Sequence, residues 1–160
     1  LFGVSPDQIQ VVVQKDSLVH SMVQFVDGSV IAHLSPPSMT FAISHSLLYP
    51  ERGNFVRPPL DFTKPFVVDF RPPDTDRFPC LKHAFAALRA GGTATTVFNA
   101  SNEVAVENFI AGKLPWIKIP QVIEKTLEST AAIDPAELGD VLAADAEARA
   151  KAREAAASLV

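Results

Sequence analysis

The stretch SMVQFVDGSVIAHL, residues 21–34, places Asp27-Gly28 between two apolar runs. Asp-Gly is a preferred two-residue hairpin turn, because both turn positions require positive φ. The turn predicts an antiparallel hairpin in which Val23 faces Ala32. In that register one face is a core face that carries Val23, Phe25, Val30, Ala32 and Leu34. The opposite face is mixed and is expected to meet solvent, a ligand or another subunit.

Short elements surround the hairpin in the first half of the chain. Alternating apolar residues predict a strand over 9–14, and a second short strand is predicted over 66–70. Between them, residues 39–49 predict a short helix that Pro50 stops. Strand, hairpin, helix and strand together indicate an α+β layer.

The pattern changes to helical spacing at about residue 74. A helix ended by the cap pair Gly91-Gly92 is followed by a second that ends near Gly112. Pro120 opens a third, Asp134 is placed as an N-cap, and the last helix is predicted from about residue 145 to 159. The predicted fold is therefore α+β: a mainly antiparallel sheet with a hairpin and flanking helix in residues 1–73, then a small C-terminal helical bundle in residues 74–160.

Composition narrows the class of protein. The 160 residues have 48% hydrophobic and 20% charged side chains, which is typical of a globular protein. The net charge of −4 argues against a nucleic-acid partner, and no apolar run is long enough to predict a membrane helix. The single cysteine, Cys80, cannot form an internal disulfide, which favours a reducing compartment such as the cytosol. Because the chain starts Leu1-Phe2-Gly3 without Met, we expect that its native start is missing.

Three groups of residues are candidates for chemistry. His20 and His33 share the mixed hairpin face and could bind a metal, or make polar contacts at the edge of a site or subunit interface. Cys80 stands at a helix start, where its pKa could fall, or it is a buried packing residue. Asn99, Asn102 and Glu103 share a helix face and could bind a ligand or hold neighbouring elements.

The loop at Asp74 and Asp76 is interpreted as helix capping. Dinucleotide, P-loop and zinc motifs are all missing from the sequence, so the residues alone do not define a reaction.

Several strings in order resemble 1-deoxy-D-xylulose-5-phosphate reductoisomerases over essentially the whole chain. They are SLVHSMV (17–23), DGSV (27–30), PSM (37–39), LDF (60–62), DRFPCLK (76–82), FNASNEVAV (98–106) and DAEAR (145–149). The resemblance implies that residues 1–73 are the C-terminal part of the catalytic and dimerisation domain. It also implies that residues 74–160 are the C-terminal helical domain.

The resemblance implies an NADP-dependent oxidoreductase and isomerase of isoprenoid precursor synthesis, a homodimer that uses NADPH and Mg²⁺ or Mn²⁺. It converts the phosphosugar 1-deoxy-D-xylulose 5-phosphate to 2-C-methyl-D-erythritol 4-phosphate. Its location would be the cytoplasm, or the plastid in a photosynthetic eukaryote. A non-catalytic dimerisation or binding domain of a degenerate paralogue is the alternative.

Only supporting site residues carry over to this chain. Ser17, His20 and Met39 match positions near the substrate and nicotinamide pocket, with His20 as a polar wall contact. Catalytic residues and metal ligands are expected upstream of Leu1, so the chain alone is expected to be inactive and to bind neither cofactor. Two segments depart from the family pattern: Gln14-Lys15-Asp16 replaces His-Pro-Gln, and residues 35–38 (SPPS) replace Gly-x-Pro-Asp.

Overall fold

The chain divides into two compact units in a computed structural model that describes residues 3–54 and 57–159. One unit comprises residues 11–73, and the other combines the described residues up to Gln10 with those from Asp74 onward. The assignment of 1–73 to a catalytic domain and of 74–160 to a separate helical domain stays a prediction. The interpretation of Leu1-Phe2 as the end of a severed element lies outside the described residues.

The unit of residues 11–73 is built from two small antiparallel sheets and one helix. Strand β1 pairs with β4, and β2 pairs with β3. The elements are β1 (Val13–Gln14), β2 (Val19–Gln24), β3 (Val30–Leu34), α1 (Met39–Leu48) and β4 (Phe70–Arg71).

The two outer strands are shorter than predicted. The strand predicted over 9–14 pairs only at Val13–Gln14, and a 3-10 turn at Pro6–Gln8 precedes it. The strand predicted over 66–70 pairs only from Phe70. Apolar alternation identified strand-like sequence, but it did not reveal where a partner strand is available.

The hairpin is present, but its predicted register is wrong by one residue. Met22 pairs with Ala32, and Val23 pairs with Ile31. The loop has three residues instead of two, since Phe25 N donates to Ser29 O at 2.9 Å. Within the loop only Gly28 has positive φ, at 85°, which is typical of a type I turn followed by a bulge. The Asp27 side chain accepts from Ser29 N at 2.9 Å and supports this longer loop.

The shifted register also overturns the predicted core face, because a slip of one residue moves one strand's side chains to the other face. Val23 now shares a face with Ile31, whereas Val30 and Ala32 lie with Met22. Val23 is 58% exposed and Ile31 is 65% exposed. Both faces of the hairpin therefore present apolar side chains that no described part of the chain covers.

Helix α1 follows the prediction closely. Ser38 is its N-cap and accepts from Thr40 N at 3.3 Å, and the helix ends at Leu48, two residues before Pro50. Ser38 follows the Pro36-Pro37 pair and is one of the small polar residues that commonly cap helices.

The helical unit contains α2 (Cys80–Ala90), α3 (Ala94–Ile110), α4 (Ile119–Ser129) and α5 (Leu138–Ala157). Helix α3 packs against both α4 and α5, and it contributes more buried side chains to the core than any other single helix. From residue 144 onward every fourth residue of α5 is a buried alanine, which allows close approach of α3: Ala144, Ala148, Ala152 and Ala156. Among the described residues no helix is both long and apolar enough to cross a membrane.

The predicted start of the last helices is wrong. Asp134 is not an N-cap, and the helix predicted from about 145 belongs to a longer helix that begins at Leu138. The N-cap is Glu137, which forms a capping box with Asp140. The Asp140 carboxylate accepts from Ala136 N at 2.8 Å and Glu137 N at 3.2 Å. These hydrogen bonds satisfy backbone N–H groups at the start of α5 that would otherwise lack a partner, so the helix begins after Glu137 and not after Asp134.

The α+β fold predicted from the sequence is confirmed by the helices, the small antiparallel sheets and the structural matches given below.

Candidate functional site

Ser17 lies in a tight turn that joins β1 to β2. Its φ is +49°, the left-handed region that side chains other than glycine seldom adopt. The turn is closed by Ser17 N donating to Gln14 O at 3.4 Å and by Leu18 N donating to the Gln14 side-chain oxygen at 2.7 Å. Unusual backbone conformations of this kind occur often at functional sites.

His20 lies at an irregularity in the pairing of β2 with β3. Val19 pairs with Leu34 and Ser21 pairs with His33, so His20 is the extra residue of a bulge. Bulges often re-aim a side chain next to a site. His20 Nε2–H donates to Ser35 O at 3.1 Å, and Ser35 is buried. The imidazole is thus held by its Nε2 while its ring remains exposed.

Met39 is the first residue of α1, directly after the Ser38 cap. Its side chain is 71% exposed, which is high for a large apolar residue. A flexible, polarisable thioether at the start of a fixed helix is suited to pack against a ring or an apolar part of a ligand.

Two hydrogen bonds through Ser35 link the turn of Ser17 to the His20 side chain. Leu18, next to Ser17, accepts from Ser35 N at 3.0 Å, and Ser35 O accepts from His20. Met39 follows four residues after Ser35 on the same chain segment. These three side chains offer polar and soft apolar contacts, which could line a pocket. They do not include a carboxylate that could serve as metal ligand or general base.

The paired histidines lie close together, with ring centroids of His20 and His33 5.7 Å apart. Within residues 3–54 and 57–159, no group of three or more His, Cys, Asp or Glu side chains is placed to hold a metal ion. Two imidazoles alone leave most of a coordination shell unfilled. His20 and His33 therefore have no third protein ligand beside them among the described residues.

Cys80 is the first residue of α2 and is partly buried. Burial raises the pKa of the Cys80 thiol above its ordinary value, so the thiol stays protonated at neutral pH. The prediction of a packing role is supported, and nucleophilic activation by the helix start is not.

Asn99 and Glu103 belong to an inter-helix network. Asn99 Nδ2 donates to Glu103 Oε1 at 3.0 Å, and Arg149 of α5 donates to Glu103 Oε2 at 2.7 Å. Arg149 also contacts Asp145 at 2.7 Å. Hydrogen bonds from Arg149 and then Asn99 lower the pKa of Glu103, while the two carboxylates raise the pKa of Arg149. The network joins α3 to α5, which supports the structural role over ligand binding.

Arg149 was not recognised as part of this cluster from the sequence. Its i,i+4 spacing from Asp145 is visible in the sequence, but the contact with Glu103 spans 46 positions and exists only after α3 and α5 pack.

The loop before α2 also has a structural role. Asp74 Oδ1 accepts from Arg77 N at 2.9 Å, and Asp74 O accepts from Phe78 N at 2.9 Å. Asp74 thus closes the turn of residues 74–78, but α2 has Pro79 as its N-cap without a side-chain capping bond, so the interpretation of Asp74 and Asp76 as helix caps is wrong.

An open cleft of about 740 Å³ lies beside the C-terminal ends of α3 and α5. Its charged lining residues, Glu107, Lys113 and Arg153, are all exposed. The Asn108 amide in its wall donates to Val104 O at 2.8 Å within α3. The cleft therefore lacks a built polar centre.

The fold defines a class: an α+β module, followed along the chain by a helical bundle that carries inter-helix polar contacts. A family model described as the DXP reductoisomerase C-terminal domain matches residues 34–151. The chain belongs to that family.

Relatives in other organisms extend the match beyond this segment. A 1-deoxy-D-xylulose 5-phosphate reductoisomerase of Nitrosomonas europaea is 49% identical over 154 residues, covering 96% of this chain and 37% of the relative. One of Rhizobium etli is 42% identical over 153 residues, covering 95% of this chain and 39% of the relative. The chain thus spans about two-fifths of the length of these relatives.

Solved structures match to a similar extent. The Zymomonas mobilis reductoisomerase in complex with NADPH has a TM-score of 0.86 at 39% identity, covering 94% of this chain and 40% of that one. A DOX-P reductoisomerase in complex with NADPH, fosmidomycin and magnesium has a TM-score of 0.92 at 36% identity, covering 99% of this chain and 41% of that one.

Proposed function

We propose that this chain is the C-terminal part of a reductoisomerase that converts 1-deoxy-D-xylulose 5-phosphate to 2-C-methyl-D-erythritol 4-phosphate with NADPH and Mg²⁺ or Mn²⁺. The observation that carries the proposal is 49% identity over 96% of the chain to a protein of that name. A structure with NADPH, fosmidomycin and magnesium superimposes with a TM-score of 0.92, which supports the same cofactors.

In this proposal Ser17, His20 and Met39 line the pocket without taking part in bond making. Ser17 and His20 present hydroxyl and imidazole groups to the polar substrate. Met39, exposed at the start of α1, packs against the nicotinamide or the substrate carbon chain. NADPH supplies a hydride and the divalent cation polarises substrate oxygens when they are bound. The residues of this chain contribute shape and hydrogen bonds, and the cation is held elsewhere in the enzyme.

We further propose that the enzyme is a cytosolic homodimer and that the hairpin of β2 and β3 contributes to its assembly. Apolar side chains on both hairpin faces support this, because exposed apolar surface of this extent marks contact with other protein. Sedimentation velocity of the protein from the complete reading frame should give a dimer, whereas a monomer at micromolar concentration would contradict the proposal.

The experiment that tests the function uses the protein from the complete reading frame and, separately, residues 1–160. NADPH oxidation is followed with 1-deoxy-D-xylulose 5-phosphate and Mg²⁺ or Mn²⁺. We expect turnover by the former and none by residues 1–160. A complete protein that binds neither NADPH nor substrate, yet dimerises, would indicate the non-catalytic alternative.

A further inference from the structure

The Gln14 side chain closes the turn that carries Ser17. Its oxygen Oε1 accepts from Leu18 N at 2.7 Å, and its backbone O accepts from Ser17 N at 3.4 Å. The main-chain contact is long, so the shorter side-chain bond is the stronger restraint on this turn. Because Ser17 has φ of +49°, the turn needs such a restraint to hold an unfavourable backbone conformation.

From this turn, hydrogen bonds continue to the imidazole of His20. The amide of Leu18 is held by Gln14, and its carbonyl accepts from Ser35 N at 3.0 Å. Ser35 is 6% exposed, and its carbonyl accepts from His20 Nε2 at 3.1 Å. One connected set of bonds therefore runs from Gln14 to both residues assigned to the pocket wall.

Gln14 itself is well anchored. It is paired with Phe70 in the β1–β4 ladder, which ties its backbone to a second strand. Its side chain is half-buried, and its Nε2 atom is shielded from solvent without a hydrogen-bond partner among the described residues. Leaving a buried amide donor without a partner costs free energy, and the hydrogen bond that the Gln14 oxygen accepts from Leu18 N offsets part of that cost.

We propose that Gln14 is a positioning residue for the substrate pocket: its side-chain carbonyl fixes the turn of residues 14–18 and thereby places Ser17 and His20. The inference rests on the proposed function of those two residues. Gln14 does not touch the substrate in this account. Its effect is to keep the pocket wall in one arrangement before substrate arrives, which favours binding.

The test compares Gln14→Met, which keeps the length of the side chain but removes the acceptor, with Gln14→Glu, which keeps an acceptor oxygen. Both are made in the protein from the complete reading frame, with Gln10→Leu as control at an exposed position. For Gln14→Met we expect the KM for 1-deoxy-D-xylulose 5-phosphate to rise about tenfold, the effect of losing one hydrogen bond to an amide left without a partner. The kcat and the KM for NADPH should change less than threefold.

Two readouts separate positioning from a general loss of stability. Hydrogen exchange of the Leu18 amide should accelerate in Gln14→Met and stay slow in Gln14→Glu, and Gln14→Glu should restore most of the substrate KM. The proposal is overturned if Gln14→Met melts earlier but keeps the wild-type KM, or if Gln14→Glu fails to restore it while protecting Leu18. If Gln14→Met does not fold, Gln14→Asn replaces it, because the asparagine side chain is too short to reach Leu18. The KM and the Leu18 exchange of Gln14→Asn then test the proposal by the same criteria. An unmutated protein without turnover would instead contradict the proposed function.

Discussion

Replacing Gly92 by Ala should destabilise the helical unit more than an ordinary glycine substitution. Gly92 has φ of +52°, and a Cβ built on it would lie 2.3 Å from Ile133 O and 2.9 Å from the Ile133 carbonyl carbon. Those atoms belong to the backbone, so no side-chain rotation can relieve the clash. Either the α2–α3 connection or the segment before α5 must move.

The movement would break two hydrogen bonds at the start of α3. Thr93 N donates to Ile133 O at 2.9 Å, and Ile133 N donates to Thr93 Oγ1 at 3.1 Å. Each is worth about 0.5–1.5 kcal/mol, and Thr93 is 1% exposed, so water cannot replace them cheaply. The left-handed backbone costs a side chain a further ~1–2 kcal/mol. The expected loss is therefore about 2–5 kcal/mol.

Gly112→Ala is the matched control. Gly112 also has positive φ, 69°, but an added Cβ would meet no atom within 4 Å. It should lose only the backbone cost of about 1–2 kcal/mol. Urea denaturation, with unfolding of α3 followed by hydrogen exchange of its peptides, would measure both variants. Equal losses for the two alanines would refute the argument that the contact with Ile133 makes Gly92 necessary.

Further variants test other contacts. Ser38→Ala removes the N-cap of α1 and should lower the protection of its amides against hydrogen exchange by about 1 kcal/mol. Ser38→Asp should retain that protection above about pH 4, whereas unchanged exchange in the alanine variant would argue against the cap. Arg149→Met should raise the pKa of Glu103 back toward its ordinary value of 4.5, as measured by carboxyl NMR titration. The lowered pKa of Glu103 gives stability that is present above pH 4.5 and is lost as the pH falls through the folded-state pKa. This acid-induced loss of stability should therefore be smaller in Arg149→Met. An unaltered titration of Glu103 in the variant would contradict the contact with Arg149. Ala148→Leu should cost about 1–3 kcal/mol because the site between α3 and α5 is full, whereas Ala150→Leu on the exposed face should change stability by less than about 0.5 kcal/mol; similar melting of the two would contradict the packing.

Local sequence predicted the hairpin but not its register. Asp27-Gly28 marks the turn correctly, yet two-residue and three-residue loops both place Gly28 at positive φ. The choice depends on the hydrogen bond between Phe25 and Ser29, which apolar alternation does not reveal. The exposure of both hairpin faces could not be predicted either. The apolar pattern of a strand indicates that its side chains are suited to burial, but it does not indicate which residues cover them.

The helix boundaries were also predicted only where local sequence determines them. Proline and the glycine pair marked the ends of α1 and α2, since both act through the local backbone. The start of α5 was missed because Asp is a preferred N-cap residue and Glu is not, whereas in the structure the Asp140 carboxylate makes Glu137 the cap. In the candidate site, the bond from Gln14 to Leu18 is local, but its link to His20 through Ser35 needs the folded hairpin.

The most direct test is the fate of 1-deoxy-D-xylulose 5-phosphate when it is incubated with NADPH, Mg²⁺ and the protein from the complete reading frame. Mass spectrometry of the product would show whether the molecule gains two hydrogens, ³¹P NMR whether it keeps its phosphate, and ¹³C NMR whether it acquires a branched carbon skeleton. We expect 2-C-methyl-D-erythritol 4-phosphate with one NADPH oxidised per molecule. Unchanged substrate, or a reduced product with a straight carbon chain, would contradict the assignment.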